Sequence, residues 1–172
     1  CYIKVPVSSY GGSKTRIRER RTTMADIKYE FESTSQEECY DKVAGFCKEL
    51  FGEMARPQDE RPIFRITFGS AVVSVFVHAW SDDDATIAVG SWVITGVEMT
   101  PELMEFLIRR NHNMRFGAFS IDDENDIHFE HTIVGSTVDK GELEASIKGV
   151  ANIADSYDDE IKERFGGNRA RD

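Results

Sequence analysis

The stretch Arg115–Gly135, RFGAFSIDDENDIHFEHTIVG, concentrates the residues whose types and spacing could do chemistry. Carboxylates crowd Asp122, Asp123, Glu124 and Asp126, and His128 and His131 flank Glu130. Imidazoles beside a carboxylate are the ingredients of a metal centre or an acid–base pair. The spacing argues against both. In a strand, alternate side chains point to opposite faces, so Ile127, Phe129, His131 and Ile133 share one side while His128, Glu130 and Thr132 share the other. The two imidazoles are expected to diverge. A helical zincin needs both histidines on one face, the inverted HxxEH needs one more residue than HFEH supplies, and the HxE of zinc deaminases needs a downstream PCxxC that does not follow.

The acidic turn is equally poor as a calcium loop. With Asp122 at the first position, Ile127 stands where the glycine is required and Ile133 where the bidentate glutamate is required. A hairpin tip explains the same residues, because Asp and Asn tolerate turn conformations and charge keeps an exposed end solvated. His131, on the apolar side, is expected to be a hydrogen-bonded core histidine. Elsewhere no GxxxxGK[ST], GxGxxG or GxSxG motif occurs. Cys39 and Cys47 lie eight residues apart on one helical pattern, about 12 Å, too far to bridge. They read as small buried hydrophobes in a reducing compartment.

The elements that must position this stretch follow from periodicity. Ser35 and Glu38 suggest a capping box for a helix over about 36–54, with Tyr40, Val43, Cys47, Leu50 and Met54 on its apolar side. ARPQDERP breaks it. IFRITF then alternates, Gly69-Ser70 suits a type II′ hairpin turn, and AVVSVFVHAW and TIAVGSWVITG complete a three-stranded meander. Thr100-Pro101-Glu102 starts a second helix whose stripe is Leu103, Phe106, Leu107 and Met114. After the Arg115–Gly135 hairpin, Asp139 and Glu142 cap a third helix carrying Leu143, Ile147, Val150, Ala154, Tyr157 and Ile161, ended by Phe165-Gly166-Gly167. That stripe must cover a sheet or a partner. The order is α-β-β-β-α-β-β-α, an α+β domain with an antiparallel sheet packed by helices.

A chain of 172 residues with 40% hydrophobic and 30% charged residues suits one soluble domain, and no apolar run reaches the length of a membrane span. The net charge of −10 divides unevenly: residues 1–23 carry +5 and the remainder −15. Residues 1–34 read as a basic amino-terminal arm, 35–167 as the folded domain and 168–172 as a tail. Lys14, Arg16, Arg18, Arg20 and Arg21 make the arm a candidate tether. Its Ser/Gly-rich lead-in is expected to trail a cleaved organelle-targeting segment, or to be an upstream extension with Met24 as the competing start. Ribosome or nucleic-acid association through the arm is a weak alternative, because no aromatics interleave the arginines and the body is acidic. Trp80 is expected to share a strand face with Phe76 and His78, with Trp92 on the next strand. Rimmed by Arg109, Arg110 and Arg115, these aromatics form a candidate protein-binding surface; the opposing reading makes both tryptophans core.

The run MTPELMEFLIRRNHNMRFGAFSIDDENDIHFEHTIVG, continued by LEASIKGVANIADSYDDEI, resembles the YbjN family, a branch of the fold shared with class I type III secretion chaperones, and most of all its cyanobacterial and plastid members. The resemblance spans residues 35–167 and rests chiefly on Asn111, Arg115, Phe116, Gly117 and Phe119. It implies a non-enzymatic module that binds a protein client, often as a homodimer, acting as a chaperone-like adaptor or stable subunit of a larger assembly. It implies no catalytic residue and no cofactor, and places the protein in the chloroplast stroma, with the bacterial cytoplasm as the alternative. A small metal-dependent or hydrolytic enzyme using His128 and Glu130 is the competing class.

Overall fold

The computed structural model describes residues 29–170; the tether arginines, Lys14 and the choice between processed end and extension lie outside them. The described chain forms three helices and one antiparallel sheet. Helix α1 spans Thr34–Phe51 and is capped by Ser33, whose hydroxyl accepts the Gln36 N–H at 3.1 Å. The Gln36 side chain reaches back to accept the Glu32 N–H at 2.8 Å. The cap is thus Ser33, two residues before the expected Ser35, with Gln36 reaching one residue past the cap to Glu32, and Met54 falls outside the helix in an exposed 3₁₀ turn. Both choices satisfy the S-x-x-E/Q pattern; burial of Gln36, which also donates to the Val77 carbonyl at 2.9 Å, decides between them.

The sheet comprises β1 (Ala55–Pro57), β2 (Ile63–Phe68), β3 (Ala71–Ala79), β4 (Ala85–Thr95), β5 (Ala118–Ile121), β6 (Ile127–Val134) and β7 (Asn168–Arg169). Its order is β1-β2-β3-β4-β6-β5, with β7 pairing the end of β4. The β2–β3 turn has positive φ only at Gly69, as a type II′ turn requires. Helix α2 spans Pro101–Asn111 and α3 spans Lys140–Phe165, capped by Thr100 and Asp139 as their sequences predict.

Strand alternation separates the two faces. Phe64, Ile66, Val73, Val75, Val77, Ile87, Val89 and Phe129 point inward and are fully buried. Helices α1 and α3 cover that face, with Leu143, Ile147, Val150 and Ile161 of α3 completely buried. The α3 stripe therefore finds the sheet rather than a partner. At about 1.5–3 kcal/mol per large apolar side chain, this layer dominates the stability of the domain.

Two short strands depart from the expected order. ARPQDERP does break α1, yet its first three residues pair with β2 through Ala55↔Ile66 and Pro57↔Phe64. After α3, Gly166 and Gly167 both take φ 84 and turn the chain back so that Arg169 pairs Ile94. Tyr29 and Phe31, within the expected arm, pack on the core around Tyr40, and residues 168–169 of the expected tail belong to the sheet.

Candidate functional site

The sheet face opposite the helices carries a groove of about 620 Å³. Outward positions of the strands build it, since every second residue of β2, β3, β4 and β6 must point there. Ser74, Ala88 and Gly90 form a floor of small side chains. Phe76 and His78 stand on one side with ring centroids 3.8 Å apart, edge to face. Trp92 and His128 stand on the other, 4.3 Å apart. The β1–β2 loop borders the opening with Gln58, Asp59, Glu60 and Arg61. Burial pushes the His78 imidazole down to about 4, so it is neutral at ordinary pH.

Gly90 keeps the floor open without any conformational need for glycine. Its backbone lies outside the left-handed region, and a Cβ there would meet the Glu130 Cβ at an ordinary 3.4 Å. The absence of a side chain leaves depth in the groove. Ser74, Gly90 and Glu130 lie on one cross-strand row, as do Trp92 and His128 on another.

The sequence-predicted residues divide between this groove and other parts of the surface. Phe76 and Trp92 line the groove. Trp80 does not: β3 ends at Ala79, alternation stops there, and Trp80 is 56% exposed. Neither tryptophan belongs to the core. Arg110 lies in the helical layer, bonded to Glu160 at 2.9 Å, with its guanidinium over the Phe106 and Tyr157 rings. Arg109 pairs with Glu105 along α2, and Arg115 is exposed in the α2–β5 loop. These three arginines do not line the groove; Arg61 and Arg65 do. Arg65 was legible as an outward position of IFRITF, but no periodic signal marks the loop residue Arg61.

His128 and His131 diverge as strand periodicity requires. His128 meets Asp122 through Nε2 and Oδ2 at 3.1 Å on the open face. His131 faces α3, where Nδ1 and the Ser146 hydroxyl share a hydrogen bond of 2.8 Å, and burial lowers its pKa. The acidic turn is internally satisfied: Asp122 Oδ1 accepts the N–H groups of Glu124 and Asp126, Asp126 Oδ1 accepts that of Gly96 at 2.8 Å, and Asn125 takes φ 65. Among the described residues no three His, Cys, Asp or Glu side chains are grouped to hold a metal ion. Cys39 and Cys47 are buried, and desolvation pushes the Cys47 thiol up to about 12. None of the described helices is long and apolar enough to cross a membrane.

The Asn-x-x-x-Arg-Phe-Gly-x-Phe pattern proves to be a structural clamp. The Asn111 amide accepts the Phe119 N–H at 2.7 Å and donates to the Phe119 carbonyl at 3.2 Å, tying the end of α2 to β5. Gly117, at φ 70, lies so close to β6 that a Cβ would come within 2.1 Å of the Glu130 carbonyl oxygen. Phe119 packs edge-on against Phe129 and Tyr157.

Comparison with known proteins gives a consistent assignment. A family model described as "T3SS (YopN, CesT) and YbjN peptide-binding chaperone 1" matches residues 37–172. Among solved structures, "Structure of the HopA1-SchA Chaperone-Effector Complex" has a chain similar to this one at TM-score 0.56 and 8% identity, over 73% of this chain and 96% of that one. "Crystal Structure of the ExsC-ExsE Complex" has one similar at TM-score 0.55 and 10% identity, over 72% and 93%. At such identities the likeness is one of fold. No curated protein matches the chain in sequence.

Proposed function

This chain belongs to the T3SS and YbjN peptide-binding chaperone family, and from that premise we propose that it holds an extended segment of a client protein in the groove on the open face of its sheet. It acts as a chaperone-like adaptor, or as a stable accessory subunit of a larger plastid or cyanobacterial assembly. One observation carries the reading: helices seal the inner face of the sheet, and among the described residues no helix covers the groove on its outer face, where aromatic walls stand around a floor of Ser74, Ala88 and Gly90. Partly exposed rings around a polar-edged trough are the features of a surface that gains free energy when a partner chain covers them.

A photo-crosslinking residue placed at Ser74 or Ala88 in the groove, and at exposed Glu163 on α3 as control, tests it in native extract. Adducts mapping to one defined client segment should arise from the groove positions and be lost on Gly90→Trp. Adducts from Glu163 alone, or groove adducts unaffected by the blocking substitution, would reject the groove.

The subcellular part of the proposal is the chloroplast stroma, with bacterial cytoplasm as the alternative. It rests on the resemblance to plastid and cyanobacterial members of the family, and fractionation with stromal and cytosolic markers tests it. We also assign to a second copy of the chain the apolar edge formed by Met104, Ile108 and Ile121, where α2 meets edge strand β5 around a cavity of about 210 Å³. Ile108 there is 70% exposed.

A further inference from the structure

The strand registers align one row of side chains across the open face. Arg56 of β1 opposes Arg65 of β2, Arg65 opposes Ser74 of β3, Ser74 opposes Gly90 of β4, and Gly90 opposes Glu130 of β6. Directly opposed residues in antiparallel strands share a face, so this row runs from two guanidinium groups, over the small-residue floor, to a carboxylate. Arg56, Arg65 and Glu130 are all exposed, and none forms an ion pair among the described residues.

Like charges placed directly opposite each other destabilise a sheet. Among the described residues no carboxylate pairs with Arg56 or Arg65, and such a pair is the arrangement an anionic group from outside would stabilise. Glu130 stands alone in the same sense at the far end. The loop charges Asp59, Glu60 and Arg61 border the groove separately and do not belong to this row.

We propose that the groove selects client segments by charge order: an extended chain crossing the strands with a carboxylate side chain at the Arg56–Arg65 end and a cationic side chain at the Glu130 end. This rests on the groove being the client site. Three to four strand spacings of about 4.8 Å separate the poles, roughly 14–19 Å, and an extended chain advances about 3.3 Å per residue. The two client charges thus stand four to six residues apart. The wall rows, set by Phe76 and Trp92, lie two residues either side of the floor row, about 14 Å from backbone to backbone. That width takes one extended chain.

The test uses fluorescein-labelled nine-residue peptides rich in Thr and Val, with one Leu at the centre. Two positions, four or five residues apart, carry acid and base, two acids, or two bases. Fluorescence anisotropy at low salt should rank the acid–base peptides about tenfold tighter than either like-charged set, with the gap closing at high salt. Arg56→Glu/Arg65→Glu, which reverses both members of the positive pole, should move the preference to the two-base peptides and Glu130→Arg to the two-acid peptides. The triple variant Arg56→Glu/Arg65→Glu/Glu130→Arg should regain the acid–base preference with the peptide reversed. Equal binding of all three sets by the natural protein, all abolished by Gly90→Trp, would overturn the charge rule and leave the groove standing. Binding untouched by Gly90→Trp would overturn the groove itself.

Discussion

Gly117 and Gly90 flank the same glutamate of β6 from opposite sides and are glycine for different reasons. At Gly117 a Cβ would overlap the Glu130 carbonyl, and the backbone is in the left-handed region. Gly117→Ala should therefore cost on the order of 2–4 kcal/mol in urea unfolding. Gly90→Ala meets only an ordinary contact and should shift stability by less than about 0.5 kcal/mol. His78 supplies the second prediction at this scale. Its folded-state pKa, about 4, lies below the ordinary value of 6.5 because of burial. As pH falls through that window the unfolded chain binds the proton first, so stability present above about pH 6.5 declines towards pH 4. His131, also lowered by burial, acts in the same direction. Urea midpoints between pH 7 and 4.5 should fall for the natural protein and fall less for His78→Gln.

Helix ends show how an element can be read correctly and still be misplaced. The sequence STSQEE offers two overlapping capping boxes, and period alone does not choose between them. Ser33 is the cap, so Ser33→Ala should lower stability by about 1 kcal/mol. Ser35→Ala should cost less, because the Ser35 hydroxyl makes only long contacts of 3.3–3.4 Å with the Asp84 and Ser81 carbonyls beside its bond to Ser33. Thermal melts of the two variants discriminate the positions. The hairpin from β5 to β6 was legible for a firmer reason: alternation leaves no freedom in which face a residue takes, so the divergence of His128 and His131 followed from a shift of three positions. β4 required the structure. Its bulge between Trp92 and Ile94 sends both Val93 and Ile94 inward, and simple alternation hides it.

At the scale of the whole molecule, the α2–β5 edge is where a second copy is proposed. Ile108→Glu removes exposed apolar surface without touching the core, so it should convert a dimer to a monomer in sedimentation equilibrium while the thermal transition persists; an unchanged mass would reject this edge. Sequence by itself determined the three helices, the five longer strands, the inward face of the sheet and the lack of a converging histidine pair, because 3.6- and 2-residue periods act locally. The family resemblance added the likeness to peptide-binding chaperones. Only the tertiary structure decided which outward side chains meet. Trp80 and the α2 arginines separated from Phe76 and Trp92 because strand ends and helix docking are set by packing between distant segments. Arg56, Arg65, Ser74, Gly90 and Glu130 came into one row because strand register, unlike periodicity, is a relation between elements that no single stretch of chain contains.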